Sequence, residues 1–150
     1  MAGFKGKYEH SVDDKGRVSL PSKLRKALSP EANDSFVVTR GYEKSLVLYP
    51  LDEWNRYEQQ MKTGLNSHRE EDRLFMRTIM MWAQDVSLDR QARIMLPQEL
   101  MEIAGITTQV VIIGALEKIE IWSPEHFRAY NERYADTTYE EVAARVMGGV

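Results

Sequence analysis

The sequence predicts an α+β fold: two copies of a strand–strand–helix–strand–strand–helix unit joined into one pseudo-two-fold domain, with interleaved β-hairpins closing a small barrel and helices around it. Three observations lead there. The chain repeats itself at an offset of 76 residues, and each copy carries two pairs of short apolar strands. Four such strands alone would leave exposed edges, which a second copy can pair.

The repeat rests on an ordered series of matches. Val12-Asp13-Asp14-Lys15-Gly16-Arg17-Val18-Ser19-Leu20-Pro21 lies over Leu88-Asp89-Arg90-Gln91-Ala92-Arg93-Ile94-Met95-Leu96-Pro97. Glu43-Lys44 then falls on Glu117-Lys118, Leu48-Tyr49 on Ile121-Trp122, and Trp54 with Tyr57 on Phe127 with Tyr130. In the first copy, residues 6–12 and 17–20 read as strands joined by Asp13-Asp14-Lys15-Gly16, with Gly16 taking the positive φ that closes the turn. Ala92 holds that place in the second copy, which predicts a differently shaped or mildly strained turn. Pro21 and Pro97 suit the first turn of short helices at 22–28 and 98–104, the latter ended by Gly105. Residues 36–40 and 45–49 read as two further strands around a Gly41-Tyr42-Glu43-Lys44 turn, repeated at 109–113 and 119–122. Each copy closes with a helix, at 51–61 and 124–134.

The stretch between the copies reads as a loop at 63–67 followed by a helix, because Leu74, Phe75, Thr78, Ile79 and Trp82 recur at helical spacing. Arg69, Arg73 and Arg77 form a stripe along another face. That stripe is either solvated and paired with the Glu70-Glu71-Asp72 run, or turned toward another subunit or an anion. Met76, Met80 and Met81 read as packing residues, not sulfur ligands. The organisation expected is therefore a first repeat at 4–62, a connection at 63–84, a second repeat at 85–134 and a tail at 135–150, helical over 139–147.

Composition narrows the function. The 150 residues are 43% hydrophobic and 29% charged, enough for a real core without staples. The absence of cysteine excludes disulfides, thiolate metal sites and cysteine nucleophiles. The first residues lack the apolar stretch of a signal peptide, and no segment approaches the roughly 18 apolar residues of a membrane span. A cytoplasmic protein with no membrane partner is expected. His10, His68 and His126 show no metal-ligand spacing, and neither phosphate-cradling glycine loops nor a nucleophile elbow occurs, so no metal, cofactor or enzymatic activity is expected. The adjacent carboxylates Asp13-Asp14, Asp52-Glu53 and Glu140-Glu141 fall in turns or helix ends, where capping or solvation explains them.

Charge is distributed unevenly. The formal net charge of −3 averages a basic leader and an acidic remainder. Residues 1–28 hold seven Lys and Arg (Lys5, Lys7, Lys15, Arg17, Lys23, Arg25, Lys26) against three acids, a net of +4, which leaves −7 for 29–150. The matching stretch of the second copy, 86–104, carries Arg90 and Arg93 against Asp89, Glu99 and Glu102, a net of −1. Two readings fit: ordinary solubilising charge, or a basic hairpin that meets a polyanion. A hairpin tip bearing Lys15 and Arg17 can enter the major groove of DNA, with the neighbouring cations on phosphates.

The paired Asp-x-x-x-Arg motifs, Phe4-Lys5-Gly6, the two Leu-Pro steps and Ala104-Gly105-Ile106 resemble the MraZ family over nearly the whole chain. Those proteins are bacterial and built of tandem SpoVT-AbrB repeats. The resemblance implies two AbrB-like units forming a double-psi-like, swapped-hairpin barrel in which the second copy replaces the partner chain that a lone unit would need. It also implies a nucleoid-associated transcriptional regulator that assembles into a homo-oligomeric ring and binds direct repeats in double-stranded DNA upstream of a division and cell-wall gene cluster including its own gene. Repression follows if the bound assembly covers the promoter. Carried over by position, the DNA-contacting residues are Arg17 and Lys15, supported by Lys5, Lys7, Lys23, Arg25 and Lys26. Asp13 and Gly16 orient the turn. Asp89 and Arg93 are assigned to folding or subunit contact, because Ala92 replaces the usual glycine and Met101 stands in the place of Arg25. The alternative is a protein-interaction module, an AbrB-like antitoxin or assembly scaffold without specific DNA binding.

Overall fold

β-branched and aromatic residues cluster where the strands form. In chain order the elements are β1 (Lys7–Ser11), β2 (Arg17–Ser19), α1 (Ser22–Lys26), a 3-10 turn (Pro30–Ala32), β3 (Ser35–Arg40), β4 (Leu46–Pro50), α2 (Leu51–Gly64), α3 (Glu70–Trp82), β5 (Gln84–Ser87), β6 (Arg93–Met95), α4 (Gln98–Ala104), β7 (Gln109–Ala115), β8 (Lys118–Trp122), α5 (Pro124–Glu132) and α6 (Tyr139–Val146). The computed structural model describes residues 3–148. Helix α2 runs through Gly64, into the stretch that reads as a loop in the sequence, and α1 stops two residues short of the expected 28.

Strand pairing crosses between the copies. The main sheet is antiparallel in the order β1-β7-β8-β4-β3-β5, so β1 of the first copy adds to β7 of the second and β5 of the second adds to β3 of the first. β2 and β6 form a separate two-stranded ribbon. Val18 pairs with Ile94 in the ribbon and Val47 with Glu120 in the sheet, and the pseudo-two-fold passes through both pairs. This is the interleaving that the repeat predicts.

Barrel closure is the exception. Among the described residues β1 and β5 end the sheet without bonding to each other, so the backbone ladder stays open. The hairpin expected at the start of each copy is also not a ladder. A single bond, from Asp13 N–H to the Arg17 carbonyl at 3.1 Å, links β1 to β2, and its counterpart from Asp89 to Arg93 measures 2.9 Å. Gly16 (φ +84°) and Ala92 (φ +58°) then turn the chain away from the sheet, toward the other copy's ribbon strand.

Alternation along the strands sorts the two faces. Phe36, Val38, Leu46, Leu48, Val110, Ile112, Ile119 and Ile121 face the main core, which the ribbon closes with Val18 and Ile94 and the short helices with Leu24 and Leu100. On the other face Val37, Val47 and Tyr49 meet Trp54 and Met61 of α2 and Ile79 of α3. The hydroxyl of fully buried Thr39 donates to the Ile79 carbonyl at 2.8 Å, which pins the end of α3 to β3. α5 covers the β7 side of the same face, and Trp122 packs edge-on against Phe127.

Interleaving also explains why one turn carries glycine and the other alanine. A Cβ on Gly16 would lie 3.0 Å from the Leu96 carbonyl and 3.3 Å from the Sδ of buried Met101 on α4. The second turn packs instead beside α1, where exposed Arg25 stands in the place of Met101. Gly16→Ala is therefore expected to cost about 2 kcal/mol and to lower the melting temperature by about 4–8 °C. Ala92→Gly relieves a left-handed alanine and is expected to gain about 0.5 kcal/mol, read from the same melts.

Candidate nucleic-acid interface

In each turn one aspartate organises the backbone. Asp13 Oδ1 accepts from the N–H groups of Lys15 (3.0 Å) and Arg17 (2.8 Å), and Oδ2 accepts from Arg17 Nε at 2.6 Å. Asp89 repeats the set with Gln91 N–H at 2.8 Å, Arg93 N–H at 2.9 Å and Arg93 Nε at 3.0 Å. The main-chain N–H of Arg17 does most to hold the Asp13 carboxyl below the ordinary aspartate range, and that of Arg93 does the same for Asp89. Asx-type bonding of this kind is local, so the Asp-x-x-x-Arg spacing alone encodes it. Each guanidinium is gripped by Nε, and the far side of its fork stays available for another acceptor.

Both arginines stand on one surface. Val18 and Ile94 point into the core, so the pleat sends Arg17, Ser19, Arg93 and Met95 outward together. Arg17 lies opposite Met95 and Arg93 opposite Ser19, which makes the two arginines diagonal neighbours roughly 7–8 Å apart at their Cα atoms. Arg93 also brings a terminal nitrogen to 4.0 Å from Asp13, so it spans the two turns.

The cations of α1 lie beside the second turn, not their own. Lys23 and Arg25 line a shallow hollow with Ser19 of the ribbon, Gln91 and Ala92 of the second turn, and Tyr8 and His10 of β1. Lys26 follows at the end of the same helix. The first turn packs against Met101 of α4, the helix that carries Glu99 and Glu102. Reading charge copy by copy therefore gave each turn the wrong neighbours. Two assigned residues fall elsewhere. Lys7 alternates with Tyr8 onto the opposite sheet face, its Nζ 5.7 Å over the Phe127 ring, and Asp13 lies about 20 Å along the strand from it. Lys5 sits beside Gly114, at that far end of β1. Tyr8, His10, Ser19, Gln91 and Met95 also belong to this surface and are not among the residues assigned to it from the sequence, although the period of two in Arg-Val-Ser and Arg-Ile-Met is a readable sign for Ser19 and Met95.

The family described as "MraZ protein, putative antitoxin-like" matches the chain twice, over residues 4–78 and 79–148. The chain belongs to the MraZ family. It is 41% identical over 144 residues to the protein of Syntrophomonas wolfei subsp. wolfei named "Transcriptional regulator MraZ", with 96% of each chain covered. Proteins of the same name from Heliobacterium modesticaldum and Clostridium tetani are 40% and 38% identical, over 96% and 95% of this chain and 96% of each relative. These MraZ relatives are named as regulators, not as enzymes. The two family matches also agree with the internal repeat and its paired Asp-x-x-x-Arg turns. No helix among the described residues is long and apolar enough to cross a membrane, and no cluster of three potential metal ligands occurs among them.

Proposed function

We propose that the chain is a DNA-binding transcriptional regulator, acting in the cytoplasm on the nucleoid, that seats the outer face of its β2–β6 ribbon in the major groove. The observation that carries this reading is the pair of aspartate-gripped arginines on one solvent-facing ribbon. A two-stranded ribbon fits the groove, and a guanidinium fixed by Nε presents its remaining donors in a set direction to a base edge or a phosphate. Arg17 and Lys15 make the central contacts. Lys23, Arg25 and Lys26 reach phosphates beside the second turn, and Arg93 holds the turns in register.

One ribbon offers few contacts, and specific sites bury on the order of 1,000 Å² of protein surface or more. Several ribbons on one homo-oligomeric ring, matched to direct repeats upstream of the division and cell-wall genes that include its own, gain by effective concentration. Repression follows where the bound ring covers the promoter. The test is retardation of a fragment of its own upstream DNA across a salt series. About five cations per ribbon predict a slope of log K against log salt near −4.5 for each seated ribbon. Failure to retard the fragment at low salt, or a flat slope, contradicts the reading.

A further inference from the structure

The ribbon is symmetric in its frame and asymmetric in what it presents. The pseudo-two-fold through Val18 and Ile94 carries Arg17 onto Arg93 and the aspartate of one turn onto that of the other. Main-chain bonds from the Leu96 N–H to Gly16 and from the Leu20 N–H to Ala92 flank the Val18–Ile94 pair, so Arg17–Met95 and Ser19–Arg93 are the close pairs, whose side chains lie against each other. The same operation carries Lys15 onto Gln91, Ser19 onto Met95, and Lys23 and Lys26 of α1 onto Glu99 and Glu102 of α4.

These exchanges make the two ends of the ribbon chemically unlike. The first turn packs on α4, which carries the acids, while the second lies beside Lys23 and Arg25. Phosphates are therefore drawn to the second end and repelled from the flank of the first. At the second end the neutral amide of Gln91 stands in the position that Lys15 takes at the first. Asp89 accepts from the Gln91 N–H at 2.8 Å, which fixes the Cα, and the exposed side chain borders the hollow shared with Ser19, Lys23 and Arg25. Cations for the phosphates are already in place there, which leaves the amide for a base.

We propose that Gln91 is a specificity-determining residue, which reads the edge of an adenine in the major groove while Lys23 and Arg25 hold the phosphates beside it. An amide offers a donor and an acceptor side by side, and adenine presents the matching N7 acceptor and N6 donor there. Lys15, at the other end, suits guanine O6 and N7. A ribbon with unlike readers at its ends reads a site without two-fold symmetry, in one direction. The inference rests on the proposed seating of the ribbon in DNA and adds the second repeat to the base contacts.

The test is a scan of the protein's own upstream fragment in which each base pair is changed in turn, titrated with the full chain, Gln91→Ala and Gln91→Lys. Both variants are expected to melt with the full chain, because the bond to Asp89 uses the main chain. The full chain is expected to lose about 10-fold in affinity when one particular A·T pair of the repeated site is changed. Gln91→Ala is expected to bind the unaltered fragment about 10-fold more weakly, to lose its preference at that pair alone, and to keep its slope against salt, since a neutral side chain releases no counterions. Gln91→Lys, which makes the two turns alike, is expected to prefer G·C at the same position. A Gln91→Ala chain that keeps the whole base profile, or that weakens on every sequence alike, would overturn the inference with the DNA reading intact. A full chain that retards no fragment overturns the proposed function, and this inference with it.

Discussion

Arg17→Ala is expected to weaken binding to a fragment of the protein's own upstream DNA at least about 100-fold, with no change in the size of the assembly. The loss at one ribbon is about 1–3 kcal/mol, and under the proposed function, in which one assembly seats several ribbons on one fragment, it multiplies. The turn survives the substitution. Asp13 Oδ1 keeps its bonds from the N–H groups of Lys15 and Arg17, and only the Nε bond to Oδ2 goes. Arg93→Ala is the comparison. Arg93 spans Asp89 and Asp13, so its removal is expected to lower the melting temperature by a few degrees, with a smaller effect on DNA than Arg17→Ala. A gel-shift titration of both variants, with mass and melting measured in parallel, separates the two roles. Undiminished binding by Arg17→Ala would remove it from the interface.

The units of the fold were legible because their signals are local. The Asp-x-x-x-Arg spacing writes the turn, proline and glycine bound α4, and alternation in β3, β4, β7 and β8 marks the faces. Interleaving was legible too, since a lone copy leaves edges that the other can pair. What the copy-by-copy reading missed depends on that interleaving. Lys23 and Arg25 follow the first turn in sequence but lie beside Gln91 and Ala92 in space. A charge sum over one copy cannot see an exchange between copies, so the acidic helix was set beside the second turn when it packs on the first. Lys7 shows the same limit on a smaller scale: seven cations in 28 residues look like one patch, yet one step of alternation turns Lys7 to the far face.

Gly114 went unremarked for a related reason: nothing near it in sequence shows what it touches. A Cβ there would meet the Lys5 backbone, 2.7 Å from both its Cα and its carbonyl carbon, and a main-chain obstacle cannot rotate aside. Glycine inside a strand often marks such a close approach. The segment it admits matters, because Phe4 is bound on both sides by Leu116, at 2.7 and 2.9 Å, and is 1% exposed in the main core. Gly114→Ala is therefore expected to push residues 4–6 off β7, withdraw Phe4 and cost about 3–4 kcal/mol, as a Phe-to-Ala core truncation does. In a domain of this size that is a fall of about 6–16 °C in melting temperature at fixed protein concentration. Phe4→Ala tests the route. If both variants act by emptying the same site, the double variant melts near the lower single and not at the sum of the two losses. A Gly114→Ala loss below about 0.5 kcal/mol, the range of an ordinary surface change, would mean that Phe4 stays seated without this glycine.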